Sequence, residues 1–502
     1  MYFPVHFVAL LSVSPLLQAL AKPGSTADID VASFSPDDIL DKDVAIIGGG
    51  SAGCYSAISL KDKGKSVVVI EKKDRVGGNT ETYIDPATGT PIDIGVLVFH
   101  NISVVTDYFN RFDVPLTPYG EDDNSGQSAY YDFSTGAELN LSFPSANKTA
   151  AAFTRYAEFL EEYPRLNDGL FLPNPVPEDL IMPFGEFADR YDIGASLNTM
   201  YELDPAVGNF TTVPTVERMR TMSLSLVQQT ETGFLTTAHH NNSEIYSKIQ
   251  TELLSASSLL LDSEVISTLR KDGREGISLV VRTLNGYKLI FAKRLLITIP
   301  PKLDILAPLD LSAQEESVFS RFIDVGYYTS IVNDTGLPDD LSIFNYNPNT
   351  PYNFPILPGV YNIQATPVPG LHLAIYGTPR GNKSFSMPTD QVKADIIKGI
   401  KTLQQANPVK FKQTEPEFVV FSSHTPFYLQ VSADDIKDGF YDKLYALQGL
   451  RNTYWTGAAF RGQDSSDLWR YSKEEFYSQL CMCICVSTLL KTARLSPAGG
   501  LP

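Results

Sequence analysis

A short β-branched run that opens into a glycine-rich turn, a helical stretch behind that turn and a second apolar run predict an α/β fold with a parallel sheet. The first run, Val44-Ala45-Ile46-Ile47, is apolar at every position, as a strand covered on both faces requires. It leads straight into Gly48-Gly49-Gly50-Ser51-Ala52-Gly53. A helix is expected from Ala52 to about Lys63, then a second buried strand, Ser66-Val67-Val68-Val69-Ile70, ending at Glu71. The 502 residues amount to about three domain-equivalents, so a second domain of α+β character is expected beside the first.

A G-x-G-x-x-G turn between a strand and a helix is the Rossmann-type fingerprint, and each position has a physical task. Gly48 permits the tight turn, Gly50 lets backbone approach a pyrophosphate, and Gly53 lets helix and strand pack closely. Ser51 and Ala52 head the helix, whose unpaired N–H groups and partial positive charge face the phosphates. Glu71, 18 residues beyond Gly53, can accept hydrogen bonds from ribose hydroxyls, and its charge would repel a 2′-phosphate.

Behind Glu71 comes a second glycine turn, Arg75-Val76-Gly77-Gly78-Asn79-Thr80. A nicotinamide dehydrogenase has no need of it, whereas a longer dinucleotide needs further N–H donors for its second half. The pattern E-x-x-x-R-x-G-G resembles the two-glycine-motif FAD family that includes amine oxidases and phytoene desaturases. That resemblance implies FAD as cofactor, with Arg75, Gly77, Gly78 and Asn79 among its contacts. Ile92-Asp93-Ile94-Gly95 resembles the family's D-x-G segment, which passes beside the flavin ring.

Two later blocks complete the expected cofactor domain. Leu259–Leu261, Glu264-Val265, a hairpin through Leu279–Val281 and Leu289–Phe291, and the run Arg294 to Pro301 form a strand-rich stretch. By resemblance, Val265 covers the adenine through backbone contacts. Tyr454-Trp455-Thr456-Gly457-Ala458-Ala459-Phe460 reads as a strand ending at Gly457, and the polar residues from Gln463 to Asp467 cap a last helix. Gly457, Ser466 and Leu468 are the contacts expected there, with Trp455 and Trp469 filling core. The FAD-binding domain is therefore discontinuous, 43–105, 240–300 and 440–495. Segments 106–239 and 301–439 build a substrate domain, in which Ala150 to Tyr163 is an amphipathic helix.

The chain from about 43 to 490 resembles an amine-oxidase-type flavoprotein. Through G-G-G-S-A-G-C-Y, the G-G-N-T turn and T-G-A-A-F with S-S-D-L-W-R-Y it resembles the fungal beta-cyclopiazonate dehydrogenase family. The resemblance implies FAD-bound oxidation of a small molecule of secondary metabolism, with ring closure as one outcome. Two departures separate it from the amine oxidases. Gly326-Tyr327-Tyr328-Thr329-Ser330 has no lysine where those enzymes place one, Lys302 lies too close to the strand end to replace it, and Asn79 stands where many carry arginine. Alternatives are a flavin-dependent isomerase without net oxidation, an amine oxidase, or a cofactor-carrying scaffold.

Remaining candidates have plainer readings. His100 could be a flavin contact, a base or a covalent tether, against a hydrogen-bonded structural role. His239-His240 lacks the spacing of a zinc site and reads as exposed. Cys54, Cys481, Cys483 and Cys485 read as packing residues, so no metal is expected. Tyr327, Tyr328, Tyr361 and Tyr376 are substrate walls or core.

A net charge of −18 opposes nucleic acid, which leaves a small molecule as the expected partner. Residues 1–21 carry no Lys, Arg, Asp or Glu, and Ala19-Leu20-Ala21 fits signal-peptide cleavage, with 22–42 a polar lead-in. Seven sequons (Asn101, Asn140, Asn147, Asn209, Asn241, Asn333 and Asn382) agree with a secreted, N-glycosylated protein without a membrane span.

Overall fold

A computed structural model describes residues 30–120, 126–271, 276–381 and 387–476. The expected signal segment, Asn382 and Cys481, Cys483 and Cys485 lie outside the described residues.

The central sheet begins with β1 (Ile39–Ile47), which passes through the glycine turn into α1 (Ser51–Asp62) and returns as β2 (Val67–Ile70). It is joined by β3 (Leu259–Leu260), β4 (Glu264–Arg270), β5 (Ile277–Thr283), β6 (Gly286–Ile297) and β7 (Thr453–Trp455). The order is β3-β2-β1-β6-β5-β4, with β7 also on β6. Val44 faces Val67 on one side and Arg294 on the other, and Ile47 faces Ile70 and Ile297, all in parallel register. Val44 to Ile47 and Val67 to Ile70 are buried, which is why both strands read as unbroken apolar runs.

Two boundaries differ from the sequence reading. The polar lead-in ends earlier, because Ile39 to Lys42 pair with Leu289 to Ala292. Their mixed character hid this: β6 supplies the ladder, so the segment needs no apolar run of its own. The runs Leu289–Phe291 and Arg294–Ile297, read as separate pieces, are one continuous strand.

A second seven-stranded sheet has the order Glu417–Ser423, Tyr327–Asn333, Leu371–Gly377, Gly359–Ala365, Leu341–Asn345, Gln127–Asp132, Ala137–Glu138. The helix Thr389–Ala406 covers one face, packing Val392, Ile396, Ile400 and Leu403 on Tyr328, Val332 and Tyr376. The opposite face, with Ile331, Tyr361, Leu373 and Ile375, joins the main core. The two-residue period of a strand thus divides the four singled-out tyrosines. Tyr328 and Tyr376 serve the helix side, while Tyr327 and Tyr361 turn the other way. The helix expected from Ala150 to Tyr163 spans Ala146–Glu161, with Ala152, Phe153, Tyr156, Phe159 and Leu160 on its buried stripe. No helix among the described residues is long and apolar enough to cross a membrane.

Candidate cofactor and active site

The two glycine turns meet beyond the ends of β1 and β2. The Gly48 N–H donates to the Ile70 carbonyl at 2.9 Å, and its φ of +103° is open to glycine at no steric cost. A Cβ on Gly53 would lie 2.0 Å from the Gly48 carbonyl oxygen, so α1 rests on the turn that precedes it. The Gly77 N–H donates to the Gly49 carbonyl at 2.8 Å, and a Cβ on Gly78 would come within 2.9 Å of Gly50 Cα. Gly50 caps α1 without a side chain, leaving the first-turn N–H groups at Ser51 and Ala52 uncapped. This narrow cradle of backbone donors fits a diphosphate, and side chains at Gly50 or Gly78 would close it.

Glu71 is buried at the end of β2. Its Oε2 accepts the Gly49 N–H at 2.7 Å and its Oε1 the Lys73 N–H at 2.8 Å, so the carboxylate is fixed while each oxygen keeps a lone pair. The Ser263 N–H donates to the Glu71 carbonyl at 2.9 Å, which brings Val265 into the same neighbourhood. Arg75 has a different position from a free phosphate ligand. It donates to the carbonyls of Val76, Gly78 and Thr80 and pairs with Glu81, bracing the second turn from behind. Asn79 is exposed, and a Cβ on Gly95 would lie 2.0 Å from its carbonyl oxygen, so the D-x-G segment runs directly against the turn. After it, Val96, Leu97 and Val98 are half-buried apolar residues.

The third segment arrives from the C-terminal side. Gly457 sits over Thr298, whose hydroxyl donates to the carbonyls of Ile47 and Gly48 at 3.0 Å each. Beyond it begins α2 (Ser465–Tyr471), capped by the Asp464 carboxylate, which accepts the Asp467 N–H at 2.8 Å. The Ser51 hydroxyl donates to Ser465 at 2.9 Å, and the Trp469 indole N–H donates to Ser51 at 3.0 Å, joining the starts of α1 and α2. Trp469 is fully buried and stacks on Tyr55 and Phe99. Leu468 is buried, and Ser466 accepts the His100 backbone N–H at 3.0 Å.

His100 is locked into this junction. Its Nδ1 bonds the Ser225 hydroxyl at 2.9 Å and its Nε2 lies 3.3 Å from Asp464. Burial alone would lower the imidazole, but the Asp464 carboxylate outweighs it and raises it; His100 in turn holds Asp464 well below the carboxylate range. The neighbouring Asp467 is fully buried and accepts from Arg461 at 2.7 Å, Arg470 at 2.8 Å and Ser223 at 2.8 Å. His100, Asp464 and Asp467 are close enough together to hold a cation, yet Arg461 and Arg470 already compensate Asp467. No spacing rule in the sequence pointed to Ser465, Asp464, Asp467 or Arg461. The one signal was their bunching behind Gly457.

Gly326–Ser330 contains no lysine, Ser330 is buried, and Lys302 pairs with Asp324 at 2.5 Å. His239 and His240 are exposed, with His239 paired to Glu244 at 2.7 Å. Cys54 is a buried free thiol that donates to the Gly49 carbonyl.

The NAD(P)-binding Rossmann-like domain family matches residues 46–112. FAD-dependent oxidoreductase oblC of Cochliobolus heterostrophus is 47% identical over 476 residues, 94% of this chain and 98% of that protein. The chain belongs to this family of FAD-dependent oxidoreductases. Beta-cyclopiazonate dehydrogenase of Aspergillus oryzae is 33% identical over 442 residues, covering 87% of the oxidoreductase and 92% of its relative. Among solved structures, the CLA-producing fatty acid isomerase from P. acnes matches with a TM-score of 0.68 at 18% identity, over 86% of this chain and 97% of that one. Putrescine oxidase matches with 0.59 at 16%, over 88% and 100%. These likenesses show an amine-oxidase-like fold, and the cradle described above fits the FAD of the family.

Proposed function

We propose that this oxidoreductase dehydrogenates a small organic molecule of secondary metabolism by hydride transfer to FAD, with cyclisation as a possible sequel. The observation that carries the reading is the meeting of three distant chain segments, around Gly50, Gly78 and Gly457, at one uncapped helix start. Bound there, FAD supplies a two-electron acceptor. In this reading the N–H groups at Ser51 and Ala52 hold the diphosphate, Glu71 the ribose, and Val265 lies along the adenine. Val96 to Val98 form an apolar wall that keeps water from the ring, and Tyr327 and Tyr361 line the side from which substrate arrives. The domain limits given above and entry into the secretory pathway belong to the same proposal; Asn101, Asn140, Asn147 and Asn209 are exposed.

The test is anaerobic mixing of the flavoprotein with metabolite fractions from its producing cells. Bleaching of the yellow flavin by one fraction is the expected result. Protein that neither carries nor takes up flavin would overturn the reading. The fold likeness to a fatty acid isomerase favours a second reading, isomerisation without net oxidation. Steady consumption of an electron acceptor during turnover decides for oxidation.

A further inference from the structure

The site lacks the lysine of the amine oxidases, and its most obvious polar groups are already engaged. Three histidines are buried among the described residues. His100 is bonded to Ser225 through Nδ1, with Asp464 3.3 Å from its Nε2, and His372 is bonded to the Thr335 hydroxyl at 3.0 Å and the Pro338 carbonyl at 3.1 Å. His424 differs at Nδ1, which no hydrogen bond holds, while its Nε2, like that of His100, is sealed from solvent without one. Its backbone is fixed, since the His424 N–H donates to the Tyr327 carbonyl at 2.9 Å and the Tyr327 N–H to the Thr425 hydroxyl at 3.2 Å. The imidazole lies against Tyr327 and Phe427, which stack on each other at 4.7 Å.

The group facing Nε2 is Glu81, whose Oε2 is 3.8 Å away. Glu81 is three residues beyond Gly78, and its carbonyl accepts the N–H of Ile94, within the D-x-G segment, at 2.9 Å. His424 therefore stands where the substrate sheet touches both flavin-facing turns. The other Glu81 oxygen is held by Lys73 at 3.0 Å and by Arg75, so the carboxylate cannot swing away. A carboxylate beside Nε2 favours the proton on that nitrogen and leaves the Nδ1 lone pair as an unused acceptor. Such contacts are commonly long before substrate binds and tighten in the complex.

Building on the proposed oxidation, we propose that His424 is the proton acceptor of the active site and that Glu81 is its positioning residue. The substrate class is a molecule with an N–H or O–H next to the C–H that is oxidised. The proton of that N–H or O–H moves to Nδ1, and its bonding pair becomes the second bond to carbon. The C–H hydrogen leaves with its electron pair to the FAD, which is the oxidant.

Histidine-labelled holoenzyme gives a readout that needs no substrate. Nitrogen NMR, assigned with His424→Asn, should show the Nε2–H tautomer in the neutral ring. In Glu81→Gln the share of the Nδ1–H tautomer should rise, because the carboxylate facing Nε2 is lost. An Nδ1–H tautomer in the wild type, or a tautomer balance unmoved in Glu81→Gln, overturns the assignment. In rapid mixing with a substrate that bleaches the wild type, His424→Asn with full flavin content should slow bleaching about 10²–10⁴-fold. Bleaching unchanged in His424→Asn overturns this assignment alone; a wild-type flavin that no substrate bleaches overturns the oxidation reading and the assignment with it.

Discussion

At the scale of single residues, contacts in the cradle are set by backbone, so the smallest substitutions are the informative ones. Gly53→Ala adds one methyl group, 2.0 Å from the Gly48 carbonyl oxygen. The gain in helix propensity, roughly 1 kcal/mol, is outweighed by overpacking of about 1–3 kcal/mol against backbone that cannot rotate away. The variant should melt lower and carry less flavin, measured by thermal unfolding and absorbance ratio. Asp93 offers a pH test. Burial raises its carboxyl to about 7, against the pull of the Thr82 hydroxyl and Asn242 N–H. The folded state thus binds this proton more tightly than the unfolded chain. Its stabilising contribution is complete below about pH 4 and is lost as pH rises through about 7. Urea titrations should show Asp93→Asn gaining on the wild type between these limits, and parallel curves would refute the shift. The turns at Gly48, Gly50, Gly53, Gly77 and Gly78 and the strand end at Glu71 were readable because they form a local pattern of fixed spacing. Asp464 and Asp467 were readable only as part of a polar helix cap, and His424 not at all, since their contacts to His100, Ser223 and Glu81 span hundreds of residues.

At the scale of elements, α2 is the critical piece. It is short, yet it carries Asp467, on which Arg461, Arg470 and Ser223 converge. Asp467→Ala leaves the fully buried Arg461 without its carboxylate, which should cost about 3–5 kcal/mol. The midpoint of urea unfolding measures it, and Asp467→Asn should recover part of the loss by still accepting a hydrogen bond. The sequence located this helix and its polar cap between Gln463 and Asp467. The structure makes Asp464 that cap and adds His100 beside it. Strands of the central sheet were legible where they are buried on both faces, Val44 to Ile47 and Val67 to Ile70. Ile39 to Lys42 escaped notice because its pairing with β6 leaves no trace in its own composition. The outer sheet, with half-exposed strands such as Glu417–Ser423, was placed only as a domain and not strand by strand.

For the whole molecule, a ligand held by three separated segments should govern global stability. Stripping FAD should lower the melting temperature, and restoring it at 100 times its dissociation constant should return about 2.7 kcal/mol. A melting temperature independent of added FAD would contradict the cradle. Strand β6 carries a further consequence. One edge lies wholly on β1, while the other is shared between β5, along Gly286 to Ala292, and β7, along Leu295 to Ile297. The stretch completing that shared edge follows only at Thr453–Trp455, so a chain interrupted before it has its glycine turns but not the segment that closes against them. Flavin uptake should therefore wait for β7, and products interrupted before it should stay colourless.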